Sequence, residues 1–179
     1  MLIERTGGPA GADALAVAAS TKKWAKAQGI HIIHCLIDSS STPFPTAKDV
    51  ERLASAMEYF KSSAGDEAPS LVQDSDGEIT FTRRIGHVSA LKSPGLLEYL
   101  EENGIKSLVL TGLSTSGCVL RTAVAGCDAE FVVTVLKDGC ADAEQSVHDA
   151  LVNKVLSNRG FVYSADEFCA GWERGELCG

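Results

Sequence analysis

The sequence predicts an α/β fold: a doubly wound three-layer α/β/α sandwich with a central parallel sheet. Three observations carry this expectation. Apolar runs of strand length (HIIHCLID, SLVLTG, FVVTVL) are nearly continuous, as in strands covered on both faces. They are separated by amphipathic stretches of about 10–15 residues, long enough for right-handed βαβ crossovers. At 179 residues, with 45% apolar and 22% charged residues, the chain has the size and composition of one globular domain. No internal repeat or domain boundary interrupts it, so residues 1–179 are expected to form a single domain.

The elements follow in order. A helix is expected over 12–28, where Ala14, Val17, Ala18, Trp24 and Ala25 share one face and Gly29 ends the run. HIIHCLID (31–38) is a strand, closed by the loop SSSTPFP. Val50, Leu53, Ala54, Met57 and Phe60 keep the i, i+3, i+4, i+7 spacing of a second amphipathic helix. Residues 61–77 are polar and Gly/Ser/Asp-rich, which predicts a surface loop. EITFT (78–82) is a short strand, followed by RRIGHVSALKS and a helix from Pro94 to Gly104.

The second half is more regular. SLVLTG (107–112) is a buried strand and 116–127 a helix with Leu120, Ala123, Val124 and Cys127 on one face. FVVTVL (131–136) is a strand, and 143–157 a helix turning Val147, Ala150, Leu151 and Val155 inward. FVYSA (161–165) is the last strand, and a Gly-rich, charged tail completes the chain. In such folds ligands bind at the carboxyl ends of the strands. That edge collects Asp38, the loop from Arg84 to Lys92, the LSTSGC turn and Asp138.

A net charge of −8 argues against nucleic acid or an anionic membrane surface as the main partner. No apolar run approaches the ~20 residues of a membrane span, and MLIERTGGPAG lacks the regions of a signal peptide. A cytoplasmic protein acting on a small molecule is the expectation. The six cysteines (Cys35, Cys118, Cys127, Cys140, Cys169, Cys178) show no close pairing and no CxxC, which predicts free thiols. Cys35 and Cys127 read as small hydrophobes, and Cys169 and Cys178 as tolerated in the tail.

Cys118 stands apart by position. It falls in the first turn of a helix that follows a strand on the ligand edge, with Thr115 or Ser116 as the expected N-cap. Unpaired N–H groups and the positive helix end there favour an anion, so they are expected to lower the thiol pKa and to hold an oxyanion. Ser114, Thr115 and Gly117 carry no bulky side chain, and Gly117 lets a substrate approach the backbone closely. Packing of helix on strand is the competing reading of Cys118, since buried cysteines are most often inert.

The segment LVLTGLSTSGCVLRTAVAGCDAEFVVTVLKDGCAD resembles the active-site segment of the isochorismatase-like cysteine hydrolases. In that family a strand leads to a G-h-x-T-x-x-C-V turn, with h apolar; here the turn runs from Gly112 through Leu113, Ser114, Thr115, Ser116, Gly117 and Cys118 to Val119. HVSALKSPGLLEYLEENGIKSL is similar to the family's Ser-Ala-aromatic segment and the helix after it, with Leu91 in the aromatic position. The wording of HVSALKSPGLL resembles fungal and other eukaryotic microbial members. The resemblance extends over roughly 12–168.

The resemblance implies the doubly wound sandwich and a mechanism with an Asp on the first strand, a Lys before the Ser-Ala segment and the Cys nucleophile. It implies a non-proline cis peptide at Leu113–Ser114. Cys118 matches the nucleophile. The Lys position falls on Arg84, or on Arg83 if the alignment slips by one, and Arg keeps the charge without giving up its proton. The first strand with its Asp has no counterpart, because only Met1, Leu2 and Ile3 precede Glu4. Without that central strand the sheet must close up, recruit another chain or remain weak. A truncated product, an isoform from a later start and a domain that has lost catalysis are the three readings.

Asp38 is the best substitute acid or substrate contact, against a turn role; Glu4 is conceivable if the N-terminus folds back. His87 is a second candidate, as a partner of the cysteine or a substrate contact. His31 and His34 are expected to be packed in or beside their strand, and His148 has no assigned role. Asp138 and Asp142 are expected to cap the helix at 143. The loop DSSSTPFPTAKD lacks the His through which some nicotinamidase relatives bind metal, so neither metal nor cofactor is expected. The family resemblance also implies a homo-oligomer. The functional expectation is a cysteine hydrolase of a small amide, or of a related substrate such as isochorismate. The alternative is a catalytically impaired member that binds a small carboxylate or acts through assembly.

Overall fold

In the computed structural model, residues 2–48, 50–51, 67–73 and 77–176 are described. The chain opens with a short helix α1 (Leu2–Gly7), a single 3-10 turn (Gly8–Ala10) and the long helix α2 (Gly11–Ala27). Strand β1 (Ile32–Asp38) leads to β2 (Glu78–Arg84), and a 3-10 turn at Ala90–Lys92 precedes α3 (Leu96–Glu102). Strand β3 (Ser107–Leu113), a π-turn at Thr115–Val119 and α4 (Leu120–Asp128) carry the cysteine segment. Strand β4 (Val132–Ala141), helix α5 (Gln145–Ala150) with its irregular continuation to Asn158, β5 (Phe161–Tyr163) and α6 (Ala165–Glu173) complete the order. The amphipathic helix expected over 50–60 is helical at 50 and 51; its remainder lies outside the described residues.

All strand pairs are parallel, as expected, but the strands form two sheets, β1-β2 and β3-β4-β5. Among the described residues no hydrogen-bond ladder joins them. Side chains do so instead. Ile33 and Cys35 of β1, Phe81 of β2 and Leu108 of β3 pack on one apolar cluster built from Leu91, Leu96 and Leu100. Alternation along β4 sends Val133 and Val135 to one face and Thr134 and Leu136 to the other. Val133 and Val135 meet Val119, Ala123, Val152 and Leu156. Leu136 meets Ala165 and Phe168, with Val17, Trp24 and Trp172 packed against them. Helices therefore cover both faces, and the layered α/β architecture holds. No helix of the described residues is long and apolar enough to cross a membrane.

Three boundaries differ from expectation. β2 runs on through Arg83 and Arg84, which were expected in a loop, so strand alternation separates the two arginines onto opposite faces. β4 runs on to Ala141, with a bulge between the pairs Leu110–Val135 and Gly112–Cys140. Helix α6 stands where the end of the last strand and the charged tail were expected. Ser164 and Glu167 close a reciprocal capping box at its start, and Phe168 and Trp172 fall on the same face, edge-on to and beside Trp24. Cys169 packs at the edge of that cluster and is not a tail residue.

Away from the strand carboxyl ends, α2 is tied to the two-stranded sheet through a buried charge. The Glu78 side chain is fully buried and accepts from Lys22 at 2.9 Å, Lys26 at 3.1 Å and His34 Nε2 at 3.0 Å. His34 Nδ1 meets Glu67 at 2.6 Å, and Lys22 Nζ also donates to the Leu71 and Val72 carbonyls. A carboxylate without water is tolerable only with such partners, and removing it leaves the buried Lys22 ammonium without its countercharge. Glu78→Ala is expected to lower unfolding free energy by about 3–5 kcal/mol, whereas Glu176→Ala, in an exposed pair with Arg174, leaves it nearly unchanged. Urea denaturation of the two variants checks the contrast.

Candidate active site

The carboxyl ends of β1, β2, β3 and β4 gather the sequence candidates at one edge. β3 ends at Leu113, the Leu113–Ser114 peptide is cis, and Thr115–Val119 forms the π-turn that launches α4. Gly117 sits at φ −90°, ψ −108°, and a Cβ there would lie 2.8 Å from Ser114 Oγ. A larger residue would require the Ser114 hydroxyl to turn away. Cys118 is half-buried in this turn, and its thiol donates to the Leu113 carbonyl at 3.2 Å.

Of the two arginines, the structure brings Arg83 to the cysteine. Arg83 is buried, and its positive charge acts on the Cys118 thiol. Its Nε donates to the His87 carbonyl at 3.1 Å, and Nη1 to the Cys35 and Leu36 carbonyls at 3.0 and 3.3 Å. Consecutive carbonyls of a strand point to opposite edges, so one of these two faces away from β2. The guanidinium thus satisfies part of the open edge of β1. Arg84, on the opposite face, is exposed and donates to the Thr42 and Pro43 carbonyls at 2.7 and 3.3 Å. It holds the loop after β1.

The other candidates are placed as follows. Asp38 ends β1 and turns back on its own loop: its Oδ1 accepts from the Ser40 amide at 2.9 Å and the Ser40 hydroxyl at 2.6 Å. His87 lies with its ring 5.4 Å from that of Phe44, centroid to centroid. Thr115 is fully buried, so its hydroxyl is turned inward, 2.8 Å from Nδ1 of the buried His148. Ser114 and Gly117 remain partly exposed at the turn. Glu4 is exposed on α1, which packs against β3 and β4.

Two residues enter that the sequence reading had placed otherwise. Asp142 does not cap the helix after it; its Oδ2 accepts the Ser116 amide at 2.7 Å, so it caps the cysteine turn. Asp138 accepts the Ala165 amide at 2.9 Å and caps α6. His148, given no role, reaches Thr115. A buried acid just beyond a strand was a signal for Asp142, but its direction depends on the bulge in β4.

The thiol's electrostatics oppose the expectation of a lowered pKa. Burial raises the Cys118 pKa above its ordinary value, while the Arg83 charge and the Cys118 and Val119 amides pull it down without offsetting burial. Among the described residues no carboxylate hydrogen-bonds the thiol. Burial also pushes Cys35 up to about 11 and Cys140 to about 12.

Two outcomes follow. Replacing Arg83 with Met removes the largest pull toward thiolate, so iodoacetamide labelling of Cys118 at pH 8.5 slows several-fold, whereas Arg84→Met leaves it unchanged. Labelling followed by peptide mass spectrometry reads both. The raised thiols also set the alkaline limit of stability. Folded Cys35 and Cys140 hold protons that unfolded thiols release near 9.0. Stability is therefore full below about pH 9 and falls as pH climbs toward 11 and 12. Denaturation midpoints across that range show the decline, and Cys140→Ala makes it shallower.

Comparison with known proteins bears on the family and the fold. The Isochorismatase domain family matches residues 4–167. Maleamate amidohydrolase from Pseudomonas putida is 28% identical over 91 residues, a match spanning 51% of this chain and 42% of that relative. An isochorismatase family protein from Burkholderia thailandensis superposes with a TM-score of 0.74 at 18% identity, over 91% of this chain and 84% of that one. N-carbamoylsarcosine amidase from Thermoplasma acidophilum gives 0.66 at 17% identity (88% and 86%), and a nicotinamidase from Bacillus subtilis 0.61 at 18% (87% and 86%). At these identities the structural likeness is one of fold, and it agrees with the match that extends from α1 into α6. The chain belongs to the isochorismatase domain family.

Proposed function

We propose that this family member is an amide hydrolase in which Cys118 is the nucleophile and Arg83 the cation beside it. One observation carries the reading: the thiol sits at the start of α4 with the Arg83 charge and its own turn's amides all favouring the thiolate. The amidases among its relatives and fold neighbours support an amide as the substrate class. Ser114 and Gly117 border the approach to the sulfur, and Asp38 and His87 stand on neighbouring loops of the same edge.

The chemistry balances without a cofactor. The sulfur attacks the amide carbonyl carbon, forming a C–S bond, while the carbonyl oxygen takes negative charge near the amino-terminal end of α4. The C–N bond breaks, and the thiol proton leaves with the nitrogen as ammonia or an amine. Water then adds to the thioester, releasing a carboxylic acid and restoring Cys118. Arg83 acts by charge alone, since it cannot give up its proton.

One observation favours a second reading, a binding protein without turnover. The thiol pKa is raised, and no carboxylate of the described residues takes its proton. Assay of maleamate, nicotinamide, N-carbamoylsarcosine and isochorismate, with Cys118→Ser alongside, separates the two. The hydrolase reading expects amide turnover that rises with pH beyond neutrality and falls at least a thousandfold in Cys118→Ser. Equal turnover by parent and variant overturns the nucleophile. No turnover, with Cys118 alkylated as slowly as buried Cys140, favours the binding protein.

A further inference from the structure

The connection from β4 into α5 grips the cysteine turn at two adjacent residues. Asp142 Oδ2 accepts the Ser116 amide at 2.7 Å, and Thr115 Oγ1 and His148 Nδ1 share a 2.8 Å hydrogen bond. Asp142 is 8% exposed, His148 7% and Thr115 0%. Both bonds are thus made away from water, where a lost partner is costly and geometry is held tightly.

The same connection is backed from its other side by the amino-terminal glycines. A Cβ on Gly8, whose φ is +58°, would lie 2.6 Å from the Ala143 carbonyl oxygen and 2.9 Å from that of Asp142. A Cβ on Gly7 would meet the Leu113 side chain at 3.0 Å. The segment 142–143 is therefore pressed between the first turns of the chain and the cysteine turn. The end of β4 reaches this place because its register shifts at the bulge and resumes at Gly112–Cys140 and Leu113–Ala141.

We propose that His148 and Asp142 are positioning residues that fix the turn carrying Cys118, holding its sulfur at the Leu113 carbonyl and within the field of Arg83. The inference rests on the reading of Cys118 as the nucleophile. Neither residue touches the thiol. They act through Thr115 and Ser116, three and two residues before it. A reacting sulfur must be held within a fraction of an ångström of its line of attack, and the two buried bonds add to the turn's own backbone bonds from Gly117 and Val119 to the Ser114 carbonyl.

The test uses the full chain and three variants, Thr115→Val, His148→Leu and the pair combined, with His148→Asn as the conservative replacement. Asn places a polar atom near the Nδ1 position and is expected to stay within threefold of the parent. Alkylation by iodoacetamide is followed separately at Cys118 and at fully buried Cys140. With the clamp released, the turn opens to solvent: Cys118 labels at least tenfold faster in both single variants, and the pair adds nothing further. Cys140 stays protected.

For any amide the parent hydrolyses, kcat falls at least tenfold while KM stays within threefold. Unchanged Cys118 labelling overturns the clamp. So does a parallel rise at Cys118 and Cys140, which would mean general loosening of the fold. Failure of the nucleophile reading is seen separately, as equal turnover by the parent and Cys118→Ser, and the labelling comparison still decides the clamp.

Discussion

Everything at the site depends on how two parallel sheets, which share no ladder among the described residues, are held together. β1-β2 and β3-β4-β5 are each hydrogen-bonded internally, but between them the connection is made by side chains. The Leu91 cluster takes residues from β1, β2 and β3, and buried Glu78 binds α2 to the two-stranded sheet. Side-chain packing is less directional than a ladder, so specificity must come from the buried polar groups. Arg83 is the clearest case, since one guanidinium serves carbonyls of β1 and the loop carbonyl of His87 while its charge reaches Cys118. The residue whose charge acts on the Cys118 thiol also fills hydrogen bonds along the edge of β1.

That arrangement explains why the cysteine is balanced and not strongly activated. A helix start and a neighbouring arginine both favour the thiolate, yet burial outweighs them. The same burial keeps Cys35 and Cys140 protonated to still higher pH. What distinguishes Cys118 is its setting: it alone of the three sits in a turn bordered by partly exposed small residues, with amides of its own turn directed at the sulfur. Membership in the isochorismatase domain family is the context in which that setting is read, and the proposed amide hydrolysis rests on it.

The first turns of the chain have a place in this design. Gly8 lies against the 142–143 backbone at a distance that leaves no room for a side chain, and Gly7 lies tightly against the Leu113 side chain. Distant parts of the sequence are thereby stacked in one line: the amino-terminal glycines, the end of β4, the cysteine turn and the start of α4.

Much of the architecture was legible in the sequence because it depends on short-range patterns. Periodicity located α2, α4 and the strands to within a few residues, and the G-h-x-T-x-x-C-V turn marked Cys118 before any fold was known. The capping box at Ser164 was legible too, and overlooking it made a tail of α6. What local pattern cannot supply is direction. Whether Arg83 or Arg84 faces the cysteine follows from how far β2 extends, and that is decided by pairing with β1 at Ile37–Arg83 and Asp38–Arg84. Whether Asp142 caps its own helix or the turn beside it follows from a bulge that exists only when β3 and β4 are paired. His148 gains a role because Thr115 is carried to it across 33 residues of chain. By itself, then, the sequence determined the α/β class and the order of most elements, consequences of periodicity and backbone preference, while the cysteine turn was marked by its resemblance to a family motif. The tertiary structure decided which charges face that turn, because a side chain's partner depends on strand register and burial.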